Sequence, residues 1–456
     1  MEMQATKTLA KFSSELKFED LPPDTVRMAK QCVLDWMGVA IRGSQEQPAQ
    51  ILQKTILAAD KGSGASVMGG TRRCASAMNA AFLNGAASHT LDFDDLHNAS
   101  LIHIATIVVP PAFAVAEAER KGGRDVIAAT VAGYEVAGRV GEAVVPESYY
   151  FWHTTATVGA IAAGAAAARA LGLDEEQMVH ALGNAGTQAA GLWEFVKEGA
   201  MSKPLHTGKA CYGGVLSAYL AQSGFTGATH ILEGEKGFCK AMLAEPHFCK
   251  LTENLGKGYK IDENSFKPYP CCKHSHAAIY AALSLMQRHG FGTDEVEKAT
   301  ILVNAITDSL INNPSPQTAY GCKFSIQYCV ACALQYGEVG LEQFERTAMT
   351  DAAVRSLMEK ISVRQDKDVQ AIYDADSTKL ASKVVVELKN GDIVEETVEY
   401  PKGDPANPMT LEDSRDKFCS LVIPVLGDNR AQQLANLVGG LENVDDLAAS
   451  LNKILS

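Results

Sequence analysis

Long apolar runs, a secretion signal and nucleotide-binding motifs are all missing from this chain of 456 residues. Its longest apolar candidate, Val158 to Leu171, is short, rich in alanine and glycine, and interrupted by Arg169, so it predicts a buried helix and no membrane contact. The N-terminus has no apolar run behind a basic start, so we expect no secretory signal. The sequence has no G-x-G-x-x-G motif after a strand, no P-loop and no G-x-S-x-G motif. It therefore gives no support to a nucleotide cofactor or to serine-hydrolase chemistry.

Acidic residues outnumber basic ones, so the formal net charge is −13 and the pI is about 5.4. Such a chain repels phosphate backbones, so nucleic acid is not expected as a partner. An anionic substrate would require the positive groups to be gathered in one pocket. The 11 cysteines are odd in number and scattered, which is not a disulfide framework. We therefore expect a reducing compartment, the cytoplasm or the interior of an organelle, with the cytoplasm preferred.

The length exceeds what one hydrophobic core usually serves, so we expect two domains. Aromatic residues make up only 7% while alanine and glycine are abundant, which favours closely packed helices. Helical patterns dominate the first 260 residues, and they cover Ala75 to His89, Pro110 to Lys121, Arg124 to Val145, His153 to Leu171 and Asp174 to Ala185, with Asp174 as an N-cap.

The pattern changes near residue 262. The segment Lys267 to Cys272 reads as non-helical, Lys298 to Asn304 is β-rich, and Lys383 to Tyr400 has a hairpin signal at Asn390-Gly391. Helical patterns return after Pro405, and we expect these last helices to pack on the first domain. The predicted fold is mainly α with an α+β second domain: a helical domain of residues 1–265 and 405–456, and a smaller α/β domain of residues 266–404.

The densest polar cluster begins at Leu91 and reads Leu-Asp-Phe-Asp-Asp-Leu-His, ending at His97, with His103 close behind. General acid–base chemistry needs groups whose pKa values can be separated by burial and by neighbouring charges. A helix end followed by a solvated loop with Asp caps explains the same residues equally well. A metal site is a weaker alternative, because the spacing matches neither H-x-x-x-H nor a facial triad.

Two further segments place cationic or imidazole side chains at the start of a helix. His153 precedes an apolar helix, where the dipole favours a neutral imidazole and anion binding nearby, although a capping or buried structural His is the alternative. Lys203, His206 and Lys209 precede an Ala/Gly-rich helix, an arrangement that suits a carboxylate ligand. A solvated basic loop is the alternative there.

Cysteines and histidines gather in the segment from Lys267 to His276. Adjacent cysteines are poorly placed for a shared bridge, and Cys–His catalysis needs a partner that the sequence does not reveal. Cys329-Val-Ala-Cys332 is a lone C-x-x-C motif, and we favour buried thiols over an iron–sulfur site there.

Together these segments resemble the MmgE/PrpD family over essentially the whole chain. The motifs that carry the resemblance are Val33-Leu-Asp-Trp-Met-Gly38, Leu91-Asp-Phe-Asp-Asp95 with His97 and His103, His153, Lys203-Pro-Leu-His206-x-Gly208, and Lys267-Pro-Tyr-Pro270 with His276. Each motif is weak alone, but five in register are specific. The family includes 2-methylcitrate dehydratases, cis-aconitate decarboxylases and iminodisuccinate epimerases.

The resemblance implies a large all-helical domain, a smaller α/β lid domain, an active site in the cleft between them, a homodimer, and no metal or organic cofactor. It assigns the following catalytic residues: Asp92, His103, His153, Lys203 and Lys267. It assigns these residues to substrate binding: His97, His206, Cys272 and His276. We expect Lys203 and Lys267 to hold substrate carboxylates, and His103 or His153 to act as base and acid with Asp92 orienting one imidazole.

Three positions depart from the family pattern. Leu96 stands where many members have Thr, Ile104 replaces a usual Pro, and Cys272 falls where the decarboxylases carry His. We therefore expect a dehydratase acting on a small hydroxy polycarboxylate such as 2-methylcitrate. An epimerase of a small dicarboxylate and a cis-aconitate-type decarboxylase are the alternatives, and a non-catalytic carboxylate binder is less favoured.

Overall fold

The computed structural model describes residues 4–71 and 73–455, without the side chain of Lys197. The first three residues of the predicted helical domain, together with Arg72 and Ser456, lie outside this description. The chain forms two compact units. Unit 1 contains the chain up to Phe266 and resumes at Thr410, and unit 2 is Lys267–Met409. The mainly helical fold with a small mixed sheet in the C-terminal region is confirmed.

Unit 1 is built from helices that are rich in small residues. Up to Phe266 they are α1 (Ala5–Glu15), α2 (Pro23–Gly43), α3 (Gln47–Ala59), α4 (Ala77–His89), α5 (Ala105–Ala118), α6 (Gly123–Glu142), α7 (Thr154–Leu171), α8 (Glu175–Gly186), α9 (Phe195–Glu198), α10 (Ser202–Gln222) and α11 (Phe238–Met242). The predicted Asp174 N-cap is confirmed, because its side chain accepts a hydrogen bond from the Gln177 amide. Unit 1 also contains a short antiparallel pair, β1 (Ala65–Val67) and β2 (Arg73–Ala75), that the sequence did not predict. No helix in the described part of the chain is long and apolar enough to cross a membrane.

Unit 2 contains a four-stranded mixed sheet. Its strands are β3 (Val296–Val303), β4 (Ile361–Gln365), β5 (Ser382–Leu388) and β6 (Ile393–Val398), in the order β4-β3-β5-β6. Its helices are α12 (His276–His289), α13 (Ala305–Ile311), α14 (Ala319–Lys323), α15 (Ile326–Tyr336), α16 (Arg346–Met349), α17 (Ala352–Glu359) and α18 (Lys367–Ala375). Strands β5 and β6 form the predicted hairpin, in which Gly391 has a left-handed φ of 92°. Cys329 and Cys332 are buried on α15.

Three helices close the chain and belong to unit 1. They are α19 (Leu411–Leu426), α20 (Asp428–Gly439) and α21 (Leu447–Leu455). Helix α19 packs against α2, where Lys417 donates to a carboxylate oxygen of Asp35 at 2.6 Å. The expected return of the last helices to the first unit is therefore seen.

Helices α4, α5, α7 and α10 pack closely in unit 1. Gly85 on α4 lies at a tight crossing, because a Cβ atom there would come within 2.6 Å of the Cys211 sulfur on α10. The Gly85 carbonyl accepts hydrogen bonds from the hydroxyls of Thr106 on α5 and Thr207 on α10, at 3.0 and 2.9 Å. This crossing fixes the end of α4 relative to the start of α10.

The predicted start of α5 at Pro110 was wrong. The helix begins at Ala105 and contains Pro110 and Pro111 in its interior. Each proline lacks the N–H that would donate to the carbonyl four residues earlier. The carbonyls left without this donor are those of Thr106, for Pro110, and of Ile107, for Pro111. The Cys211 thiol lies 3.4 and 3.7 Å from these two oxygens, so its single, weak S–H donor is available to one of them or shared between both. A long-range contact therefore compensates in part for a local helix breaker.

Candidate active site

A buried carboxylate lies between two imidazole rings in unit 1. Oδ2 of Asp94 is 2.7 Å from Nδ1 of His89 and 3.2 Å from Nδ1 of His103. His89 is the last residue of α4, and His103 precedes α5, with its backbone N–H donating to the Thr155 hydroxyl at 3.3 Å. The ends of three helices therefore bring these groups together.

The electrostatics of this cluster give its members different protonation states. Burial lowers the pKa of His89 to about 4, against the opposing effect of the Asp94 charge. Burial alone would raise the pKa of Asp94, but the His89 and His103 rings lower it well below its usual value. At neutral pH, Asp94 is thus an anion and His89 a neutral ring that donates Nδ1–H to it. Nε2 of His89 is buried and has no hydrogen-bond partner among the described residues.

The second carboxylate of the motif, Asp92, is paired with Lys203. Its Oδ1 lies 2.8 Å from Nζ of Lys203, and both side chains are buried. Asp92 has a positive φ of 56°, a left-handed conformation that non-glycine residues adopt at an energetic cost. The cost is consistent with a functional constraint on the direction of this carboxylate. Asp94, two residues later, is the carboxylate that contacts His103.

His153 and His206 form a second imidazole pair. Their Nδ1 atoms are 3.1 Å apart. Burial lowers the pKa of His206 to about 4 and that of His153 well below its usual value, and the charge of Lys203 adds to both effects. Both rings are therefore neutral at pH 7, so one must donate its Nδ1 proton and the other accept it. The pair presents one protonated and one bare Nε2 atom.

Aromatic rings line the His153 side of the cluster. The Trp193 ring centroid lies 4.5 Å from that of His153, and Phe195 lies 5.3 Å from His206. The Trp193 indole N–H donates to the Trp152 carbonyl at 3.1 Å, so its polar edge is satisfied. The His153 ring also stacks on His89, with centroids 5.6 Å apart. These contacts hold the His153 and His206 rings against aromatic side chains on one side of the cluster.

The remaining predicted site residues are one residue of unit 1 and three residues of unit 2. His97 is buried in unit 1, with Nδ1 2.9 Å from the Ser100 hydroxyl and Nε2 3.4 Å from the Glu263 carboxylate. Lys267, Cys272 and His276 belong to unit 2, where Lys267 and His276 are buried and Cys272 is half-buried. The His276 Nε2 atom lies 3.3 Å from the Cys271 carbonyl, and the Cys272 amide donates to the Lys323 carbonyl at 3.0 Å. The assignment of these four residues to substrate chemistry stays a prediction.

Among the residues that the structure describes, two groups of side chains have donor sets that could hold a metal ion. They are His89, Asp94 and His103, and His97, Glu142 and Glu263, whose ligand atoms lie within 4.8 Å of one another in each group. In the first group, the 2.7 Å distance is a hydrogen bond whose proton a metal would displace. In the second, Nζ of Lys260 already lies 2.7 Å from Glu142 and 3.1 Å from Glu263. The expectation that the site uses no metal stays a prediction.

His89 and Trp193 were not among the site residues predicted from the sequence, and no individual role was predicted for Asp94. His89 stands three residues before Asp92 in an alanine-rich helix. A histidine in such a run needs a buried polar partner, and this signal could have revealed it. Trp193 is one of three tryptophans in a chain poor in aromatics. Its contact with His153, forty residues earlier, has no signature in local spacing.

The chain matches the MmgE/PrpD N-terminal domain over residues 7–249 and the MmgE/PrpD C-terminal domain over residues 269–443. Together the two matches cover most of both units. The chain belongs to the MmgE/PrpD family of enzymes, so the resemblance seen in its motifs is confirmed.

Three similar proteins carry the names of two activities. The cis-aconitate decarboxylase-like protein oryM of Aspergillus oryzae is 30% identical, over 99% of this chain and 97% of that protein. The cis-aconitate decarboxylase of Aspergillus terreus is 26% identical, over 98% of this chain and 95% of its own. The 2-methylcitrate dehydratase of Escherichia coli is 27% identical, but over 53% of this chain and 52% of its own. The similarity to proteins named for decarboxylation is thus the more extensive.

Proposed function

We propose that this protein is a decarboxylase of a small unsaturated tricarboxylate of the cis-aconitate type. The observation that carries the proposal is the contact of His103 with the buried anionic Asp94, in a cluster where Lys203 acts electrostatically on His89, His153 and His206. Full-length similarity to proteins named as cis-aconitate decarboxylases supports the same reaction. The expectation of 2-methylcitrate dehydration becomes the second candidate.

The proposed reaction needs one proton donor and one positive charge. When a carboxylate next to a CH2 group leaves as CO2, the C–C bonding pair forms a new double bond. The original double bond shifts, and its electron pair takes a proton at the far carbon. A trianion and one proton thus give a dianion and CO2. We assign the proton to Nε2 of protonated His103, because its Nδ1 faces Asp94, a buried counter-ion for the imidazolium.

Lys203 is the proposed binding group for a substrate carboxylate. Its ammonium is buried beside Asp92, so its position is fixed before substrate arrives. The neutral pair of His153 and His206 offers a hydrogen-bond donor to a second carboxylate without adding charge. Lys267, carried over from the family resemblance, remains a proposed source of further positive charge.

Dehydration of a hydroxy acid is the second candidate because of Cys272, which stands where the family resemblance places a histidine in decarboxylases. In that reaction protonated His103 would deliver its proton to the departing hydroxyl, and a neutral ring, His153 or His206, would remove the proton from carbon.

Incubation with cis-aconitate and with 2-methylcitrate, separately, distinguishes the candidates. We expect CO2 release from cis-aconitate and its loss in His103→Ala, with the variant still folded. Water loss from 2-methylcitrate without CO2 release from cis-aconitate would replace the proposal with the dehydratase. Exchange of substrate hydrogen with solvent, with no other product, would favour an epimerase instead.

A further inference from the structure

The ammonium group of Lys417 on α19 contacts the residue that lies between Asp92 and Asp94. It donates to the Phe93 carbonyl at 2.7 Å and lies 4.0 Å from the centroid of the Phe93 ring. It also donates to a carboxylate oxygen of Asp35 on α2 at 2.6 Å. The side chains of Lys417 and Asp35 are only 7% and 2% exposed. The ammonium is therefore held, away from water, by a carboxylate, a carbonyl and a ring face.

This contact acts on a peptide group whose direction affects both carboxylates. The Phe93 carbonyl belongs to the planar peptide that joins Phe93 to Asp94, so turning it would also turn the backbone from which the Asp94 carboxylate extends. On the other side, Asp92 has the left-handed φ of 56°, a conformation that persists where the surroundings determine it. Because Lys417 contacts both the carbonyl and the ring of Phe93, it supplies part of that determination.

We infer that Lys417 is a positioning residue, which holds the Phe93 peptide so that the carboxylates of Asp92 and Asp94 keep their directions. Its effect on turnover rests on the proposed function of the cluster. Lys417 acts through the backbone of the motif, from a helix 324 residues further along the chain. A misplacement of about 1 Å can lower a rate by about 100-fold, so a fixed peptide direction is needed for catalysis.

A second lysine makes the same kind of contact at another place and provides a matched control. Lys30 on α2 donates to the Gly439 carbonyl at 2.8 Å and to the Glu442 carboxylate at 2.9 Å. It also joins α2 to the C-terminal part of unit 1, but its carbonyl partner is the last residue of α20. If Lys417 only anchored α19, its loss and the loss of Lys30 would both change stability alone.

Two double variants remove one contact each. Lys417→Met with Asp35→Asn removes the donor to the motif, and Lys30→Met with Glu442→Gln removes its counterpart. Changing both partners avoids leaving a buried charge without its counter-ion. If the first variant does not fold, Lys417→Gln with Asp35→Asn gives the comparison, because the amide nitrogen stops short of the Nζ position.

The Phe93 carbonyl can be observed by itself, because the dipeptide Phe-Asp occurs once in the sequence. Protein labelled with 13C-carbonyl phenylalanine and 15N-aspartate therefore gives one HNCO peak, from Phe93 and Asp94. A carbonyl that loses a hydrogen bond from an ammonium group is more shielded. We expect the peak to move to lower 13C frequency in the variant without the Lys417 ammonium, and to keep its position in the variant without the Lys30 ammonium.

Turnover is then measured with whichever of cis-aconitate and 2-methylcitrate the wild type converts. We expect kcat to fall by about 10- to 100-fold in the variant without the Lys417 ammonium. KM should change by less than about threefold, because Lys203 keeps its charge. The variant without the Lys30 ammonium should keep both constants within about threefold of the wild type.

An unmoved HNCO peak, or an unchanged kcat in the folded variant without the Lys417 ammonium, would overturn the inference. A similar fall in kcat in the Lys30 control would also overturn it, because anchoring of the C-terminal helices would then explain both. The HNCO peak needs no substrate. A wild type that converts neither acid would therefore count against the proposed function, while the peak still tests the contact.

Discussion

At the scale of single residues, the two aspartates of one motif have different partners. Asp92 faces the ammonium of Lys203, and Asp94 faces His89 and His103. The motif predicted a cluster of acid–base groups, and the structure has one. The partner of each aspartate could not be predicted, because Asp92 and Lys203 are 111 residues apart in sequence. The left-handed φ of Asp92 turns its carboxylate in a direction that spacing alone does not give.

Lys203 and Lys209 lie on the same helix and provide a matched pair of substitutions. Lys203 is buried in the cluster, whereas Lys209 is exposed and donates to the Gln188 carbonyl. We expect Lys203→Met to lower kcat/KM by about 100-fold or more, because a fixed positive charge is lost where substrate charge must be held. Lys209→Met should change it by less than about threefold. Steady-state kinetics on both variants test this, and equal losses would contradict the assignment of Lys203.

At the scale of elements, the crossing of α4, α5 and α10 determines where the site residues lie. The alanine and glycine content predicted close helix packing, and the bounds of most helices differ from prediction by a few residues. Helix α5 was the exception, because the donor that compensates in part for Pro110 and Pro111 comes from Cys211 on α10. Such compensation between distant helices is invisible to local sequence rules.

Gly85 tests the closeness of this crossing. We expect Gly85→Ala to lower the free energy of unfolding of unit 1 by about 1–3 kcal/mol, because the new methyl group would meet the Cys211 sulfur and the Thr106 carbonyl. Gly439→Ala is the control, because a Cβ atom there meets nothing within 4 Å. The three tryptophans, Trp36, Trp152 and Trp193, all lie in unit 1, so urea unfolding followed by their fluorescence reports on it. Equal stability of the two variants would contradict the tight crossing.

At the scale of the whole molecule, the two-part organisation and the presence of β-strands in the second unit followed from the change in pattern near residue 262. The order of the strands did not, because β4 pairs in parallel with β3 across a long separation in sequence. The predicted domain bounds and the homodimer stay predictions.

Buried titratable groups should make stability depend on pH in two opposite ways. His89 has a pKa lowered to about 4, so between that value and about 6.5 the unfolded chain binds the extra proton, and stability falls as pH falls. His89 alone contributes about 3 kcal/mol across this window. Burial raises the pKa of Asp95 to about 8, so the folded state holds its proton and stability falls as pH rises towards 8.

Asp95→Asn isolates the second effect. Asp95 is buried, and its carboxyl group accepts hydrogen bonds from the Tyr134 hydroxyl at 2.6 Å and from the Ala105 amide. We expect the decline in tryptophan-monitored stability between pH 6.5 and 8 to flatten in this variant, because an amide does not titrate. An identical decline in wild type and variant would show that another group is responsible.

Turnover of cis-aconitate in D2O, followed by proton and carbon NMR, tests the central claim most directly. We predict CO2 release with one solvent deuteron in each product molecule, at the carbon to which the double-bond electrons shift, and loss of both signals in His103→Ala. A product without deuterium, or cis-aconitate recovered unchanged under conditions in which it binds, would contradict proton donation by the His103 site.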